Sequence, residues 1–278
     1  MQNSSFLNNL FKGIGTRIKS LFTHQGSKAG LNWFSEKFLK HAPAGVIRSY
    51  QYRNKKIYYS NPSEFLHALK EIFIHEIYKG QYSPGSYIID CGANIGLSVI
   101  YLKQICPDAK IVAFEPDEEN FKLLQDNISS FDFKNVTLRK EAVWIENTQL
   151  HFAGLGSMSS RIGGAQGAET NVVTAIRLKE LLTEPVDFLK IDIEGAEYEV
   201  LKDIKDQLCY VKNMFLEYHG SFEQTTELTA LLSWITTQGF SYYIKEAADI
   251  YPTPFYRTRR NGQQYDVQLN LFCFRTAV

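Results

Sequence analysis

From about residue 86 onward, apolar positions alternate between two spacings along the chain. Continuous apolar runs are typical of buried strands, and apolar residues three or four apart are typical of amphipathic helices. Strands that alternate with helices indicate an α/β fold with a mostly parallel sheet. Strands are predicted at 86–90, 110–115, 135–139, 186–192, 212–218, 240–246 and 266–274, and helices at 95–106, 117–129, 195–207 and 223–238. Because no helix separates the last two strands, the final strand is expected to run antiparallel to its neighbours.

The first 70 residues are predicted to form a helical N-terminal extension, and residues 71–278 the main domain. Apolar residues recur at helical spacing through 6–22, with basic residues between them. A helix of this kind can lie on a membrane surface as a peripheral contact. The pattern favours packing on the domain itself or on a second subunit of a homo-oligomer.

Composition narrows the range of partners and compartments. Lys+Arg and Asp+Glu number 30 each, so the formal charge is zero and nucleic-acid binding is not expected. No apolar run approaches the roughly 20 residues of a transmembrane helix, and the N-terminus lacks a signal-peptide pattern. The four cysteines are widely spaced, which argues against disulfides and a zinc site. These features predict a cytoplasmic protein.

The stretch 87–102, YIIDCGANIGLSVIYL, passes from strand to helix spacing through a turn that contains two glycines. Such a strand–turn–helix unit brings backbone close to a ligand. The turn does not complete the GxGxxG pattern of a dinucleotide site. It suits S-adenosylmethionine, which has no phosphate and whose amino group Asp90 could meet directly or through water. Gly92 would allow close approach of the backbone, and Gly96 close packing of the helix.

A second carboxylate, Glu115, ends the next predicted strand and precedes Pro116. A carboxylate at this place can accept hydrogen bonds from both ribose hydroxyls of either NAD or S-adenosylmethionine. The ordinary alternative is an acid at the start of the following helix. Together with the glycine turn, Glu115 favours a cofactor site.

Candidate catalytic groups follow the fourth and fifth predicted strands. Asp192 and Glu194 lie in LKIDIEG, and Glu217 and His219 lie in FLEYHG. The carboxyl ends of neighbouring parallel strands converge beside the cofactor site. These groups allow two mechanisms. In the first, His219 or Asp192 takes a proton from the acceptor while the remaining acids orient its hydroxyls. In the second, the carboxylates and the histidine hold a divalent ion that polarises the hydroxyl. No spacing here is diagnostic of a metal, so the sequence favours the arrangement without one.

Several of these residues also have an ordinary structural interpretation. Asp192 can cap the helix predicted to begin at residue 195. His219 can be a hydrogen-bonded turn residue. Glu197 and Glu199, in the first helical turns, are predicted to form a solvated face that suits the helix dipole.

Two segments interrupt the strand–helix pattern. Residues 154–170 are rich in glycine and serine and are predicted to form a loop or irregular hairpin. Residues 248–266 form a long loop, and loops of that length in compact domains are often functional. Its arginines can bind an anionic acceptor or simply be solvated, and its tyrosines can stack on a sugar. The arginines are Arg257, Arg259 and Arg260, and the tyrosines are Tyr251, Tyr256 and Tyr265.

Residues from about 70 to 275 resemble the FkbM family, a branch of the class I S-adenosylmethionine-dependent methyltransferases. The resemblance implies a Rossmann-like fold and methyl transfer to an oxygen, often a hydroxyl of a sugar or natural-product-type small molecule. Its most specific motif is VDFLKIDIEGAEYEVL, 186–201. The other motifs are EIFIHEIY (71–78), IIDCGANIGLS and VAFEPDEENFKLLQDNI.

The resemblance also implies roles for particular residues. Independently of the resemblance, the predicted strand ends assign catalysis to Asp192, Glu194 and His219, and the strand ends and the long loop place Glu217 and the three loop arginines on the acceptor side. An NAD-linked oxidoreductase stays open as an alternative, although it needs a fuller glycine pattern. A cofactor-binding module without catalysis is the other alternative. The cofactor-binding positions would be Asp90, Gly92, Asn94, Gly96, Glu115 and Pro116, with Glu141, Ala142 and Val143 where the adenine lies.

Overall fold

The computed structural model describes residues 29–153, 170–259 and 262–275, which form two compact units. The first unit holds the described residues up to Lys79 together with Asp126–Asp132, and the second holds the remainder. The predicted helix at 6–22, nearly all of the 154–170 segment and Arg260 lie outside the described residues. The predicted division into an N-terminal extension up to residue 70 and a main domain after it stays a prediction.

The first unit combines helices with a β-hairpin that was not predicted. Helix α1 (Trp33–His41) begins with a capping box in which Asn32 and Ser35 bond each other's backbone N–H groups. Strands β1 (Arg48–Tyr52) and β2 (Lys55–Tyr59) pair antiparallel. Helix α2 (Pro62–Leu69) follows, and it continues into a π-helical turn at Lys70–Ile74.

Side chains that alternate along the hairpin form the core of the first unit. Tyr50, Tyr52, Ile57 and Tyr59 are all buried, as expected for strands with one face against a core. The ring of Tyr59 stacks on Phe65 of α2 at a centroid distance of 4.3 Å. This alternation was the sequence signal for the hairpin.

The second unit is built on a large sheet, which confirms the predicted α/β architecture. Its strands are β3 (Tyr87–Cys91), β4 (Lys110–Phe114), β5 (Val136–Arg139), β9 (Val186–Ile191), β10 (Val211–Gly220), β11 (Ser241–Glu246) and β12 (Val267–Phe274). Among the described residues, these seven strands pair in the order β11-β12-β10-β9-β3-β4-β5, and only β12 runs opposite to the others. The predicted antiparallel last strand is therefore confirmed.

A smaller sheet was missed by the sequence analysis. Strands β7 (Thr148–Ala153) and β8 (Thr170–Arg177) pair antiparallel, and β6 (Ala142–Trp144) pairs parallel with β8. The segment between β7 and β8 is the glycine- and serine-rich one, and its composition masked the two strands beside it.

Four α-helices accompany the sheets in the described part of the second unit: α3 (Leu97–Ile105), α4 (Glu118–Ser130, which ends in the first unit), α5 (Glu197–Ile204) and α6 (Thr225–Thr237). The apolar faces of α5 and α6 share one buried cluster with the strands, for example Val200 and Leu231 with Leu189 and Leu216. Burial of such side chains is the main favourable contribution to folding.

Two further predictions concern cysteines and membranes. All four cysteines are free thiols in the structure. In the described ranges, no helix is both long and apolar enough to cross a membrane.

Candidate active site

The glycine turn lies between the carboxyl ends of two neighbouring strands. The backbone N–H groups of Gly92 and Ala93 donate to the carbonyl of Phe114, at 3.0 and 2.8 Å. Gly92 has φ +85°, and a Cβ built on it would lie 1.8 Å from the carbonyl oxygen of Asp192. The need for glycine at this position therefore comes from the strand end beside it, before any ligand is considered.

A buried lysine connects the glycine turn to Asp192, directly after strand β9. Lys190 Nζ donates to the carbonyl of Gly92 at 2.7 Å, and it lies 3.1 Å from Asp192 Oδ2 and 3.4 Å from Asp90 Oδ1. Asp90 has no exposed surface, and it also accepts a hydrogen bond from the Ser98 hydroxyl. In the structure Asp90 therefore contacts Lys190 and Ser98 beside the glycine turn. Its contact with a cofactor stays a prediction. The sequence analysis missed Lys190, although a lysine inside an apolar strand is a usable signal.

Glu115 lies directly after β4 and bonds the glycine turn. Its Oε2 accepts from the backbone N–H of Asn94 at 2.8 Å, and its Oε1 accepts from that of Asp117 at 3.0 Å. Burial raises the pKa of the carboxyl, the two backbone hydrogen bonds oppose the rise, and the result is a pKa of about 7. Because each carboxylate oxygen has two lone pairs, both oxygens can accept one further hydrogen bond.

The remaining predicted cofactor positions lie nearby in sequence. Pro116, Ala142 and Val143 are buried, the last two in β6. Glu141 forms an ion pair with Arg139, whose Nη2 donates to Glu141 Oε1 at 2.9 Å. The proposed adenine contact of these residues stays a prediction.

The structure brings three of the predicted catalytic residues together. Asp192, Glu194 and His219 each present one polar atom, and these atoms all lie within 4.8 Å of one another. His219 Nε2 is 3.7 Å from Glu194 Oε2 and 3.6 Å from Glu217 Oε1. The side chain of His219 is only 2% exposed. We call Asp192, Glu194, Glu217 and His219 the acidic cluster.

Glu197 was wrongly predicted to lie on a solvated helix face. The residue is 0% exposed, and its Oε1 lies 3.2 Å from His219 Nδ1. The same oxygen accepts from the backbone N–H groups of Ile193 and Gly195, at 3.1 and 2.9 Å. Glu197 therefore holds both the turn before α5 and the imidazole. Glu199, by contrast, has a half-exposed side chain paired with Lys202.

The alternative role of Asp192 as a helix cap is not observed. Helix α5 begins at Glu197, and its N-cap residue Ala196 makes no side-chain capping bond. Asp192 instead faces Lys190 at the end of β9. Its carboxylate is 26% exposed and so remains accessible to a ligand.

The electrostatics of His219 differ from those of an ordinary histidine. Burial alone would lower its pKa, but the hydrogen bond to Glu197 and the charges of Glu197, Glu194 and Glu217 outweigh burial and raise the pKa to about 10. The free protein therefore carries a protonated imidazole at pH 7. The predicted role of His219 as a base with a pKa near its ordinary value of about 6.5 does not fit the free protein.

Tyr265 from the long 248–266 loop contacts the acidic cluster. Its hydroxyl donates to the carbonyl of Glu194 at 2.6 Å, and its ring lies 4.9 Å from that of His219. A Cβ on Gly195 would lie 2.9 Å from the Tyr265 hydroxyl. Tyr265 therefore fixes the turn that carries Glu194, and the sequence analysis had given it only a sugar-stacking role.

The other loop residues form a second contact at the same strand edge. The ring of Phe222, just after β10, stacks on Tyr251 at 5.7 Å and lies under the guanidinium of Arg257 at 4.7 Å. The Tyr251 hydroxyl donates to Asp266 at 2.6 Å. Tyr256 and Arg259 are exposed, and Arg260 lies outside the described residues.

Residues 90–242, more than half of the chain, match the family model described as the methyltransferase FkbM domain. The chain belongs to the FkbM methyltransferase family. The matched region of this FkbM-family enzyme includes Asp90, Glu115 and the whole acidic cluster. Membership decides for a methyltransferase and against the NAD-linked oxidoreductase and the non-catalytic module.

Two curated proteins that are similar to this chain are named as methyltransferases. The chain is 28% identical to Methyltransferase 1 of Beauveria bassiana over 181 residues, which cover 54% of this chain and 72% of that protein. It is 30% identical to Methyltransferase sdnD of Sordaria araneosa over 190 residues, which cover 53% and 72%. The crystal structure of methyltransferase FkbM from Methylobacillus flagellatus KT aligns with a TM-score of 0.46 at 15% identity, covering 76% of this chain and 54% of that one.

Proposed function

We propose that this methyltransferase uses S-adenosylmethionine and transfers its methyl group to a hydroxyl oxygen of a small molecule. The observation that carries the proposal is the continuous series of contacts from Glu115 through the glycine turn and Lys190 to the acidic cluster. One end of this series suits the cofactor, and the other suits the hydroxyl. The two groups would therefore meet at the carboxyl ends of neighbouring strands, the usual place for ligands in open α/β sheets.

The residues present fit S-adenosylmethionine. Glu115 has an accepting lone pair left on each carboxylate oxygen, as two ribose hydroxyls require. We propose that Asn94, Gly96 and Pro116 line the same site, with Glu141, Ala142 and Val143 toward the adenine. When bound, S-adenosylmethionine supplies a methyl group on a positively charged sulfur that leaves as a neutral thioether.

The acidic cluster supplies the acid–base chemistry of the proposed reaction. An aliphatic hydroxyl is weakly acidic, so its proton must pass to a positioned group as the new bond to oxygen forms. Because His219 is already protonated in the free protein, we assign this proton to a carboxylate oxygen of Asp192. Glu194 and His219 orient the hydroxyl, with His219 acting as a hydrogen-bond donor through Nε2.

The acceptor is proposed to be a hydroxylated sugar or natural-product-type molecule. Family resemblance supports this class, and so does the aromatic surface of Phe222 and Tyr251, since Phe222 lies three residues after His219. Flat rings of this kind suit the apolar face of a sugar. Arg257 on Phe222, with Arg259 and Arg260, is proposed to bind a polar or anionic part of the acceptor.

A labelled-methyl experiment tests the proposed function. The protein is incubated with S-adenosylmethionine carrying a labelled methyl group and a cell extract, and the labelled product is identified. Label in an ether-linked methyl group of a small molecule is the expected result, and label only in nitrogen or carbon positions would contradict it. With the acceptor known, Arg257→Ala combined with Arg259→Ala is expected to raise KM for the acceptor and leave cofactor affinity unchanged.

Cofactor affinity is expected to rise with pH through about 7. The ionised form of Glu115 accepts hydrogen bonds at both oxygens, while the protonated form must donate from one of them. With a free-state pKa of about 7, binding that requires the carboxylate loses roughly tenfold in affinity between pH 8 and pH 6. Two charged groups also shift the pKa of this carboxyl: Asp117 raises it and Lys190 lowers it.

Calorimetry at both pH values measures this effect, with Glu115→Gln as the control. The variant retains any dependence that comes from titration of the ligand, so the difference between the two proteins belongs to Glu115. It is also expected to bind at least about tenfold more weakly at pH 8, because charge-assisted hydrogen bonds contribute about 1.5–3 kcal/mol each. Equal affinities and equal pH profiles in the two proteins would place Glu115 outside the cofactor site.

A further inference from the structure

We propose that Asp192, Glu194 and His219 form a binding site for a divalent cation of the Mg²⁺ or Mn²⁺ class, with Glu197 as a positioning residue. This inference rests on the proposed function, because the cation would hold the acceptor hydroxyl at the point of methyl transfer. A bound cation makes a hydroxyl more acidic by stabilising the charge that develops on its oxygen.

The geometry of the three side chains suits one cation. Their polar atoms lie within 4.8 Å of one another, whereas neighbouring ligand atoms about 2.1 Å from an octahedral ion lie about 3 Å apart. The side chains of Asp192 and Glu194 are 26% and 46% exposed, so both can rotate inward by the remaining distance. His219, which is 2% exposed, is the fixed ligand.

The setting of His219 is the second observation that points to a cation. Nε2 is directed at the cluster and lies 3.6 and 3.7 Å from carboxylate oxygens of Glu217 and Glu194, within ion-pair range but beyond hydrogen-bond distance. Nδ1, on the far side of the ring, faces the buried carboxylate of Glu197 at 3.2 Å. A carboxylate on the far nitrogen is the usual partner of a metal-binding histidine, since it fixes the ring orientation and raises ligand basicity.

Glu197 is itself held in place before any ligand binds. Both of its carboxylate oxygens accept from the backbone N–H of Gly195, at 2.9 and 3.0 Å, and Oε1 also accepts from that of Ile193. The orientation of the imidazole is therefore built into the turn that carries Glu194. The site thus has one buried nitrogen ligand and two partly exposed carboxylates, of which Asp192 also pairs with Lys190.

The three ligands favour one class of cation, and their binding to it determines which carboxylate receives the proton of the acceptor hydroxyl. Carboxylate oxygens favour Mg²⁺ and Mn²⁺, and one imidazole is compatible with Mn²⁺ in particular. A cation that binds Nε2 displaces the proton there to solvent. With Asp192 engaged as a ligand, Glu217 would replace Asp192 as the carboxylate that receives the proton of the acceptor hydroxyl, while the oxygen bonds to the methyl carbon and the sulfur leaves as a thioether.

Titration of the full chain with Mn²⁺, in the absence of cofactor, tests the site. The free ion is followed by electron paramagnetic resonance, and Mg²⁺ is added as a competitor. Wild-type protein is expected to bind Mn²⁺ saturably. Asp192→Asn should weaken binding by at least about tenfold, and Glu197→Gln by about 10–100-fold.

Glu199→Gln is the matched control, because Glu199 lies in the same first turn of α5 but pairs with Lys202 on the half-exposed face. It is expected to bind Mn²⁺ like wild type. If Glu197→Gln does not fold, Asp192→Asn alone decides, since the Asp192 side chain is partly exposed. Absence of saturable Mn²⁺ binding, or equal affinity in wild type and Asp192→Asn, would overturn the proposal.

A parallel titration with S-adenosylmethionine separates this proposal from the proposed function. Cofactor binding without Mn²⁺ binding removes the cation site and leaves the function intact. Mn²⁺ binding that depends on Asp192, in a protein that does not bind S-adenosylmethionine, keeps the cation site and removes the function.

Discussion

Gly92→Ala is expected to destabilise the second unit by more than about 4 kcal/mol, a loss reserved for the most severe single substitutions. An alanine Cβ at this position would lie 1.8 Å from the carbonyl oxygen of Asp192 and 3.0 Å from its carbonyl carbon. Both are backbone atoms at the end of β9, so no side-chain rotation relieves the overlap. The strand end would have to move, and this movement would displace Asp192 from Lys190 and from the rest of the cluster.

Gly85→Ala is the matched control for Gly92→Ala. Gly85 has φ +80°, close to the +85° of Gly92, but a Cβ at Gly85 meets nothing within 4 Å. An alanine in this left-handed region costs about 1–2 kcal/mol from backbone strain alone. Urea unfolding of the two variants therefore separates strain from overlap. Equal losses of unfolding free energy would show that the contact between Gly92 and Asp192 does not constrain the turn.

The sheet could be predicted from the sequence because its strands are continuous apolar runs between helical patterns. The hairpin β1–β2 was missed, although the buried residues Tyr50, Tyr52, Ile57 and Tyr59 alternate with exposed or partly exposed ones. Strands β7 and β8 were missed for a different reason, since the glycine-rich segment between them dominated the local composition. A pattern of period two is weak over five residues, and neighbouring turn residues easily outweigh it.

The candidate site was predictable at the level of strand ends. Asp192, Glu194 and His219 were expected to converge, because the carboxyl ends of adjacent parallel strands always do. The buried position of Glu197 was not expected, because charged residues in a first helical turn usually face solvent. A usable signal existed, since Glu197 shares a helical face with the buried Val200, Leu201 and Ile204 at spacings of three, four and seven.

The protonation of His219 is a property that sequence alone does not give. Its pKa depends on three carboxylates carried by one strand, one turn and one helix, all within 3.7 Å of the ring nitrogens. Sequence places these residues on their elements but does not give such distances. The change in assigned role, from base to positioned donor or metal ligand, follows directly from those distances.

Lys190→Met is expected to lower the free energy of unfolding by about 3–5 kcal/mol, the usual loss when one member of a buried ion pair is removed. Lys190 is 3% exposed, and it is the cation between Asp90 and Asp192. Without it, the fully buried Asp90 carboxylate faces Asp192 with no intervening positive charge. Methionine conserves most of the volume, so the loss reflects charge and hydrogen bonding more than packing.

Lys103→Met provides a comparison at nearly equal burial. Lys103 is 2% exposed, but its ammonium donates to the carbonyls of Pro107 and Ala109 and not to carboxylates. Leaving neutral carbonyls unpaired costs about 1–3 kcal/mol, so urea unfolding should show a smaller loss than for Lys190→Met. A loss as large as that of Lys190→Met would mean that lysine burial, and not the pairing with acids, sets the stability.

A double-mutant cycle with Asp90→Asn locates the interaction. If Lys190 stabilises the fold by compensating Asp90, then removing the Asp90 charge in the Lys190→Met background should recover stability, while the same change in wild type should reduce it. The two effects of Asp90→Asn then differ by a coupling energy of about 0.5–3 kcal/mol, as measured for residues in direct contact. A coupling energy of zero would show that Lys190 stabilises the fold through the carbonyl of Gly92 and the carboxylate of Asp192, and not through Asp90. In that case the Lys190→Met substitution would change S-adenosylmethionine affinity, and its effect on stability would not depend on the Asp90 charge.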